Sequence, residues 1–310
     1  VTGISQEEYG TIFSFILLSQ MLFRPLRQIA DKFNTLQMGM VAANRVFKIL
    51  DTHSSIEDNG ELEMKQIQGN ISFSFGYLED EEVLHGISFE VKAGETIAIV
   101  GATGAGKSTI INLLNRFYEI NSGTIAIDGT NIKTFRLASL RTKIAVVLQD
   151  VFLFADTIAN NISLKDKSIS LETIEQAAKQ IGVHEFISSL PGGYQYNVKE
   201  RGSMLSSGQR QLIAFLRAYV SNPSILVLDE ATSSVDTYSE QLIQKATEKI
   251  TEGRTSIIIA HRLATIKKAD KILVMDAGEI IETGTHQELL KKGGYYKNLY
   301  EAQFLAEEVA

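Results

Sequence analysis

Two hydrophobic rhythms divide this chain. Between residues 5 and 50 the only glycine or proline positions are Gly10, Pro25 and Gly39, and the rest are good helix formers. The stretch predicts one long helix, bent at Pro25. Its first half, residues 11–23 (TIFSFILLSQMLF), is almost wholly apolar, whereas Ile29, Phe33, Leu36, Met40, Ala43, Phe47 and Leu50 recur at alternating steps of four and three. The second half is therefore a one-faced packing helix. At about 1.5 Å per residue such an element would reach roughly 65 to 70 Å, far beyond an ordinary globular helix. The apolar half has two readings: a buried core helix, or the inner part of a transmembrane helix that continues into the cytoplasm. Arg24, Arg27 and Lys32 directly after it match the positive-inside pattern, and Ser14, Ser19 and Gln20 would face other helices or a substrate path.

A polar, turn-rich stretch follows (DTHSSIEDNG, 51–60) and reads as a linker. Beyond it the rhythm changes. Short runs such as TIAIV (96–100), KIAVVLQ (143–149), SILVLDE (224–230), TSIIIAHR (255–262) and KILVMD (271–276) alternate with helical patterns such as KSTIINLLNRFY (107–118). Continuous apolar runs mark strands buried on both faces, and their alternation with helices predicts a mainly parallel α/β sheet. NISFSF, HGISFEV and GTIAIDG read instead as an antiparallel patch. No internal repeat is present, so one such domain is expected rather than a tandem pair.

Composition narrows the class without deciding it. With 44% hydrophobic and 22% charged residues and three prolines in 310, the chain is neither disordered, collagen-like nor a disulfide scaffold. The absence of cysteine removes thiol chemistry and suits a reducing compartment. A net charge of −7 gives no sign of a nucleic-acid partner. The chain begins with Val1 and shows no signal-peptide pattern, so it reads as a fragment or a processed piece.

The chemistry is concentrated at strand ends. Residues 101–108 read GATGAGKS, a full match to the GxxxxGK[ST] phosphate loop, between a strand pattern and a helix pattern as that motif requires. Its backbone N–H groups would close around phosphates, Lys107 would neutralise the outer oxygens and Ser108 would bind Mg²⁺. ILVLDE (225–230) ends a strand in two acids. Asp229 would join the metal shell, and Glu230 would act as base for an attacking water. Gln149 and His261 each place a polar side chain at a strand end, where open α/β sheets bind ligands. MLSSGQRQL (204–212) has the marks of a second anion-binding helix start, at Ser206, Ser207 and Gly208.

Taken in order, GATGAGKST, VLQD, LSSGQ, ILVLDE, SSVD and AHR resemble the nucleotide-binding domain of an ABC transporter at its Walker A, Q-loop, signature, Walker B, D-loop and H-loop positions. The triplet Glu200-Arg201-Gly202 resembles the ERG motif of exporters. The N-terminal helix, with Pro25-Leu26 and a closing stretch from Asn44 to Phe47, resembles the last transmembrane helix of a type I exporter half-transporter. The resemblance runs from about Gln66 into the C-terminal region and implies a P-loop NTPase fold: a mainly parallel core sheet, an antiparallel β patch and a helical subdomain over about 150–222. It divides the chain into a transmembrane-helix end with its cytoplasmic extension (1–50), a linker (51–65) and the nucleotide-binding domain (66–310).

The same resemblance implies ATP and Mg²⁺ as cofactors. Gly101, Thr103, Gly104, Ala105, Gly106, Lys107, Ser108 and Thr109 would surround the phosphates. Ser108, Gln149 and Asp229 would hold the metal, Glu230 would be the base and His261 the γ-phosphate sensor. Tyr77 in FGY would stack on adenine, with Phe75 as the alternative because NISFSFGY is about three residues shorter than the family's two-part strand. Ser206, Gly208 and Gln209 of the signature, with Asp236 of SSVD, would meet the ATP of a second domain in a head-to-tail pair. The expected function is ATP hydrolysis powering export across the cell membrane, with this domain on the cytoplasmic side and partnered by the transporter's transmembrane domain. An importer ATPase and a non-transport ATPase acting on nucleic acid are the alternatives. LSSGQ departs from the usual LSGGQ at Ser207, which tilts the expectation from a homodimer towards a heterodimer.

Overall fold

The computed structural model describes residues 6–52, 56–65, 67–78, 82–229 and 237–303; of these, side chains at 6, 76–78, 82, 237 and 303 are outside the description. The chain forms two compact units, 1–55 and 56–310.

The first unit is a single helix, α1 (Gln6–Leu50), 45 residues long with Pro25 inside it and Glu7 and Glu8 in its first turn. Acidic residues there complement the helix dipole. The expected one long helix is therefore present. Its apolar side chains are exposed, Phe15 at 73% and Phe33 at 65% among them. Among the described residues no helix is long and apolar enough to cross a membrane.

In the second unit, a four-stranded antiparallel sheet contains β1 (Ile71–Leu78), β2 (Glu82–Val91), β4 (Ser122–Ile127) and β5 (Thr130–Asn131), ordered β2-β1-β4-β5. A six-stranded sheet contains β3 (Thr96–Gly101), β6 (Ile144–Val147), β7 (Ile225–Asp229), β8 (Thr255–Ile259), β9 (Lys271–Asp276) and β10 (Glu279–Gly284). Its order is β10-β9-β3-β8-β7-β6, parallel throughout except for β10.

The continuous apolar runs follow from this geometry. Alternate residues on one strand enter different cores: Ile97, Ile99, Ile225, Val227, Ile257 and Ile259 pack with the antiparallel sheet and α2 (Lys107–Leu114). Ala98, Val100, Leu226, Leu228 and Ile258 pack into the core on the opposite face. That second core takes in α4 (Ile158–Ser163), α5 (Leu171–Ile181), α6 (His184–Ser189) and α7 (Ser207–Val220) of the helical subdomain. It also takes in α8 (Thr237–Thr251), α9 (Leu263–Lys268), α10 (His286–Lys292) and α11 (Tyr295–Gln303). Both faces of β3, β7 and β8 are covered, so no polar alternation survives in those runs.

Three expected boundaries shift. The strand expected over 143–149 is β6, which ends at Val147; Lys143 instead closes α3 (Leu137–Lys143), and exposed Leu148 has left the sheet. The helix expected to reach Tyr118 stops at Leu114, where the buried amide of Asn115 turns back to bond Ile111 O and Arg116 adopts φ 49°. The linker expected over 51–65 is a strap on the second unit from residue 56 onward. Arg116 donates to Glu57 O at 3.1 Å, Leu137 N to Asp58 Oδ1 at 2.8 Å and Met64 N to Ser139 Oγ at 2.7 Å. Met64 itself is 3% exposed. Composition marked that stretch as polar; three of its groups bond α3 and its flanks while most of its charged side chains stay exposed.

Candidate active site

The phosphate loop leaves the C-terminal end of β3. Gly104 and Gly106 take φ of 85° and 91°, values that side chains avoid, and a Cβ on Gly106 would lie 2.5 Å from Leu84 Cδ2. Gly106 caps α2 without any side-chain bond, which leaves the first amides of the helix open. Thr109 N donates to Gly106 O at 3.1 Å, Ala105 is buried beneath the loop, and Thr103 is exposed on it.

Lys107 is 8% exposed. Its ammonium donates to the carbonyls of Gly101 and Ala102, both at 2.8 Å. Burial lowers its pKa, while the Asp229 carboxylate opposes that shift. Ser108 Oγ donates to Asp229 Oδ2 at 3.4 Å. Burial raises the pKa of Asp229, partly countered by the Ser108 bond and the Lys107 charge, and Asp150 adds to the rise. A cation beside these oxygens would relieve that unfavourable charge.

The sheet order explains the convergence. β3, β8, β7 and β6 are consecutive, and Ile99, Ile259 and Asp229 lie in register across three of them. The loop, His261 and Asp229 thus leave neighbouring strand ends, and Gln149 lies two residues beyond β6. This is where open α/β sheets bind ligands. Ala260 N donates to Ile99 O at 3.1 Å, which anchors the chain just before His261. Burial and the Lys107 charge lower the His261 pKa, so its imidazole is neutral at pH 7. Gln149 is exposed.

Glu230 and Asp236 lie outside the described residues. Tyr77 is in β1 with its backbone opposite Leu84, and irregular register lies on both sides of it; its side chain is outside the description. Phe75, the alternative, is 4% exposed and packs in the core at 5.9 Å from the Phe73 ring, so no face of it is open to a base. Ser206 caps α7 in a reciprocal box: its hydroxyl accepts from Gln209 N at 3.2 Å, and Gln209 Oε1 accepts from Ser206 N at 3.0 Å. Ser207 is the exposed first residue of α7, and Gly208 is buried behind it. Arg217, further along α7, donates to Asn161 O at 2.9 Å and Phe152 O at 3.3 Å, tying the signature helix to the segment that follows Gln149. Sequence reasoning missed Asp150, whose charge acts on Asp229, and Arg262, whose guanidinium faces Glu240; adjacency to Gln149 and to His261 was the signal available for each.

With this geometry in view, comparison with known proteins agrees. Residues 84–233 match the family model described as ABC transporter. The chain is 46% identical over 299 residues to an uncharacterized ABC transporter ATP-binding protein, YknV, of Bacillus subtilis (strain 168), covering 95% of this chain and 50% of that protein. It is 45% identical over 297 residues to a probable multidrug resistance ABC transporter ATP-binding/permease protein, YheH, of the same strain (95% and 44%). It is 47% identical over 284 residues to an ATP-dependent lipid A-core flippase of Saccharophagus degradans (91% and 48%). A solved bacterial Atm1-family ABC exporter with ATP bound superposes with a TM-score of 0.77 at 42% identity, covering 92% of this chain and 50% of that one. The chain belongs to the ABC transporter family and carries its ATP-binding domain, of the kind found in exporters. It spans about half the length of the curated relatives it matches.

Proposed function

We infer that this domain binds Mg-ATP, pairs head to tail with a second such domain, and hydrolyses ATP to power export across a membrane. The observation that carries the reading is the meeting of Lys107, Ser108 and Asp229 at the mouth of a glycine loop. Ser108, Asp229 and Gln149 are hard oxygen donors that fit Mg²⁺, which when bound would offset charge on the phosphate oxygens. Lys107 would exchange its two loop carbonyls for phosphate oxygens. Gly101, Thr103, Gly104, Ala105, Gly106 and Thr109 would complete the cradle, Tyr77 would stack on adenine, Glu230 would take the proton of the attacking water, and neutral His261 would bond the γ-phosphate. Phosphate release measured with and without Mg²⁺, for the native chain and for Glu230→Gln, tests this. A silent native chain, or a Glu230→Gln chain at full rate, would overturn it.

Ser206, Gly208 and Gln209, with Asp236, would serve the ATP of the partner domain. The partner is the finer question. Ser207 stands exposed at the helix start where LSGGQ has glycine, and this favours pairing with a different subunit whose own catalytic acid is altered. The test is the mass in solution of Glu230→Gln in mild detergent with Mg-ATP, beside a version that also carries Ser207→Gly. Dimers in both favour a homodimer; dimers only with Ser207→Gly favour a distinct partner. We further propose that residues 11–23 lie within the membrane as part of a transmembrane helix, that the exposed apolar face of residues 29–50 packs against other helices of a transmembrane domain, and that the nucleotide-binding domain sits on the cytoplasmic side.

A further inference from the structure

We propose that Arg262 is a positioning residue that holds His261 in place by pairing with Glu240 across two adjacent loops; the inference rests on the ATPase reading above. β7 and β8 are neighbours in the sheet, with Asp229 opposite Ile259. The connection after β8 reaches α9 at Leu263, and the one after β7 reaches α8 at Thr237. Glu240 lies in the first turn of α8. Arg262 caps α9 with an extended backbone and no side-chain cap bond.

The side chain of Arg262 is only 17% exposed, and its Nη1 is buried without a hydrogen-bond partner. Native proteins seldom leave such a donor orphaned, because the desolvation cost goes uncompensated. What it faces is Glu240 Oε1, 4.0 Å away. That gap is about 1 Å longer than a charge-assisted hydrogen bond, so the two charges attract without a direct bond. Arg262 also brings a cation close to a helix N-terminus, an unfavourable place for positive charge unless a carboxylate in the first turn offsets it. Glu240 is that carboxylate.

The consequence concerns His261. Its chain is fixed on one side by the bond from Ala260 N to Ile99 O. On the other side, Arg262 O accepts from Ile266 N at 3.2 Å at the start of α9, and the Arg262 side chain faces Glu240 of α8 across 4.0 Å. The imidazole therefore sits between a bond to β3 and the start of α9, and the attraction of Arg262 to Glu240 biases where it would meet the phosphate end of a nucleotide. Loosening one anchor misplaces the ring without touching the surfaces that bind ATP.

The experiment uses the full chain in mild detergent, with steady-state hydrolysis, binding of a fluorescent ATP analogue and thermal melting measured in parallel. Glu240 is half exposed, so Glu240→Gln should fold normally. It is expected to lower kcat about 10-fold while KM and analogue affinity stay within twofold, as misplacement of one catalytic group does. Arg262→Lys should recover more activity than Arg262→Ala, and the exchanged pair Arg262→Glu with Glu240→Arg should recover more than either single reversal. Native kcat in Glu240→Gln, or a swap no better than its single reversals, overturns the positioning role and leaves the ATPase reading standing. A native chain that binds the analogue but hydrolyses nothing would overturn both.

Discussion

Ser108 and Asp229 are 121 residues apart in sequence, yet the serine hydroxyl lies 3.4 Å from the carboxylate, at the start of α2 and the end of β7. Each group is polar and placed at a strand end or helix start because the sheet order brings β3 and β7 to either side of β8. The pairing defines the point where a divalent cation and the outer phosphates would meet.

Removing that point should separate binding from turnover. Asp229→Asn keeps the size of the side chain and the partner of Ser108 but removes the charge. Hydrolysis is expected to fall about 10²- to 10³-fold, with much smaller loss of Mg-free nucleotide affinity. Phosphate release and analogue titration with and without Mg²⁺ check it; equal losses in both would point to simple misfolding of the loop.

Lys107→Ala should act differently. The lysine is buried and its charge is lowered in basicity by that burial, so its loss removes both a cation and a filler of the loop mouth. Nucleotide affinity itself is expected to drop, by about 1.5–3 kcal/mol for a hydrogen bond to a charged group. Calorimetric titration reads this directly, and an affinity unchanged within twofold contradicts the assignment.

The neutral state of His261 gives a pH signature. Burial and Lys107 depress its pKa below the usual 6.5, so the folded state resists protonation. The contribution of this group to stability is present above about pH 6.5 and is lost as pH falls through the lower folded value. Hydrolysis should therefore persist slightly below pH 6.5 and then decline, and His261→Ala should abolish that acid limb along with most activity. A rate falling with a midpoint at or above 6.5 in the native chain would speak against it.

Asp128 tests the fold rather than the site. Its carboxylate accepts from the amides of Gln68 at 2.7 Å, Gly69 at 3.1 Å and Asn70 at 2.8 Å, just ahead of β1. Asp128→Ala is expected to cost about 1–2 kcal/mol, the value of hydrogen bonds to an exposed charged group. The pKa of Asp128 is lowered by these bonds against the opposing effect of burial. Their stabilisation is thus full above the ordinary carboxylate range and fades as pH falls through the lower folded value. The difference between thermal melts of both chains should be smaller at pH 3 than at pH 7; a constant difference would show that charge is not the cause.

Much of this was legible in the chain itself, for identifiable reasons. TIAIV, ILVLD and TSIII announce strands because two cores claim alternate residues and leave no polar positions. GATGAGKS is legible because its glycines, Lys107 and Ser108 are contiguous. What stayed hidden is what folding brings together from afar: the strap from Glu57 to Met64 on α3, Asp150 beside Asp229, and Arg262 facing Glu240. Tyr77 is the expected stacking residue with Phe75 as the alternative, and the burial of Phe75 in the core is something only the folded chain reveals.

The capping box on α7 has one more implication. A helix start offers four amides that the helix cannot satisfy. Those of Ser206 and Gln209 are already taken by each other's side chains, which leaves the amides of Ser207, exposed, and Gly208, buried behind it, outside that box. Every residue except proline keeps its amide, so on the proposed reading the grip on an incoming phosphate would be written in the main chain, and no ordinary substitution would erase it. Under that proposal, change at position 207 would alter only how closely a phosphate approaches the grip, and the serine would act as a spacer whose height is open to tuning.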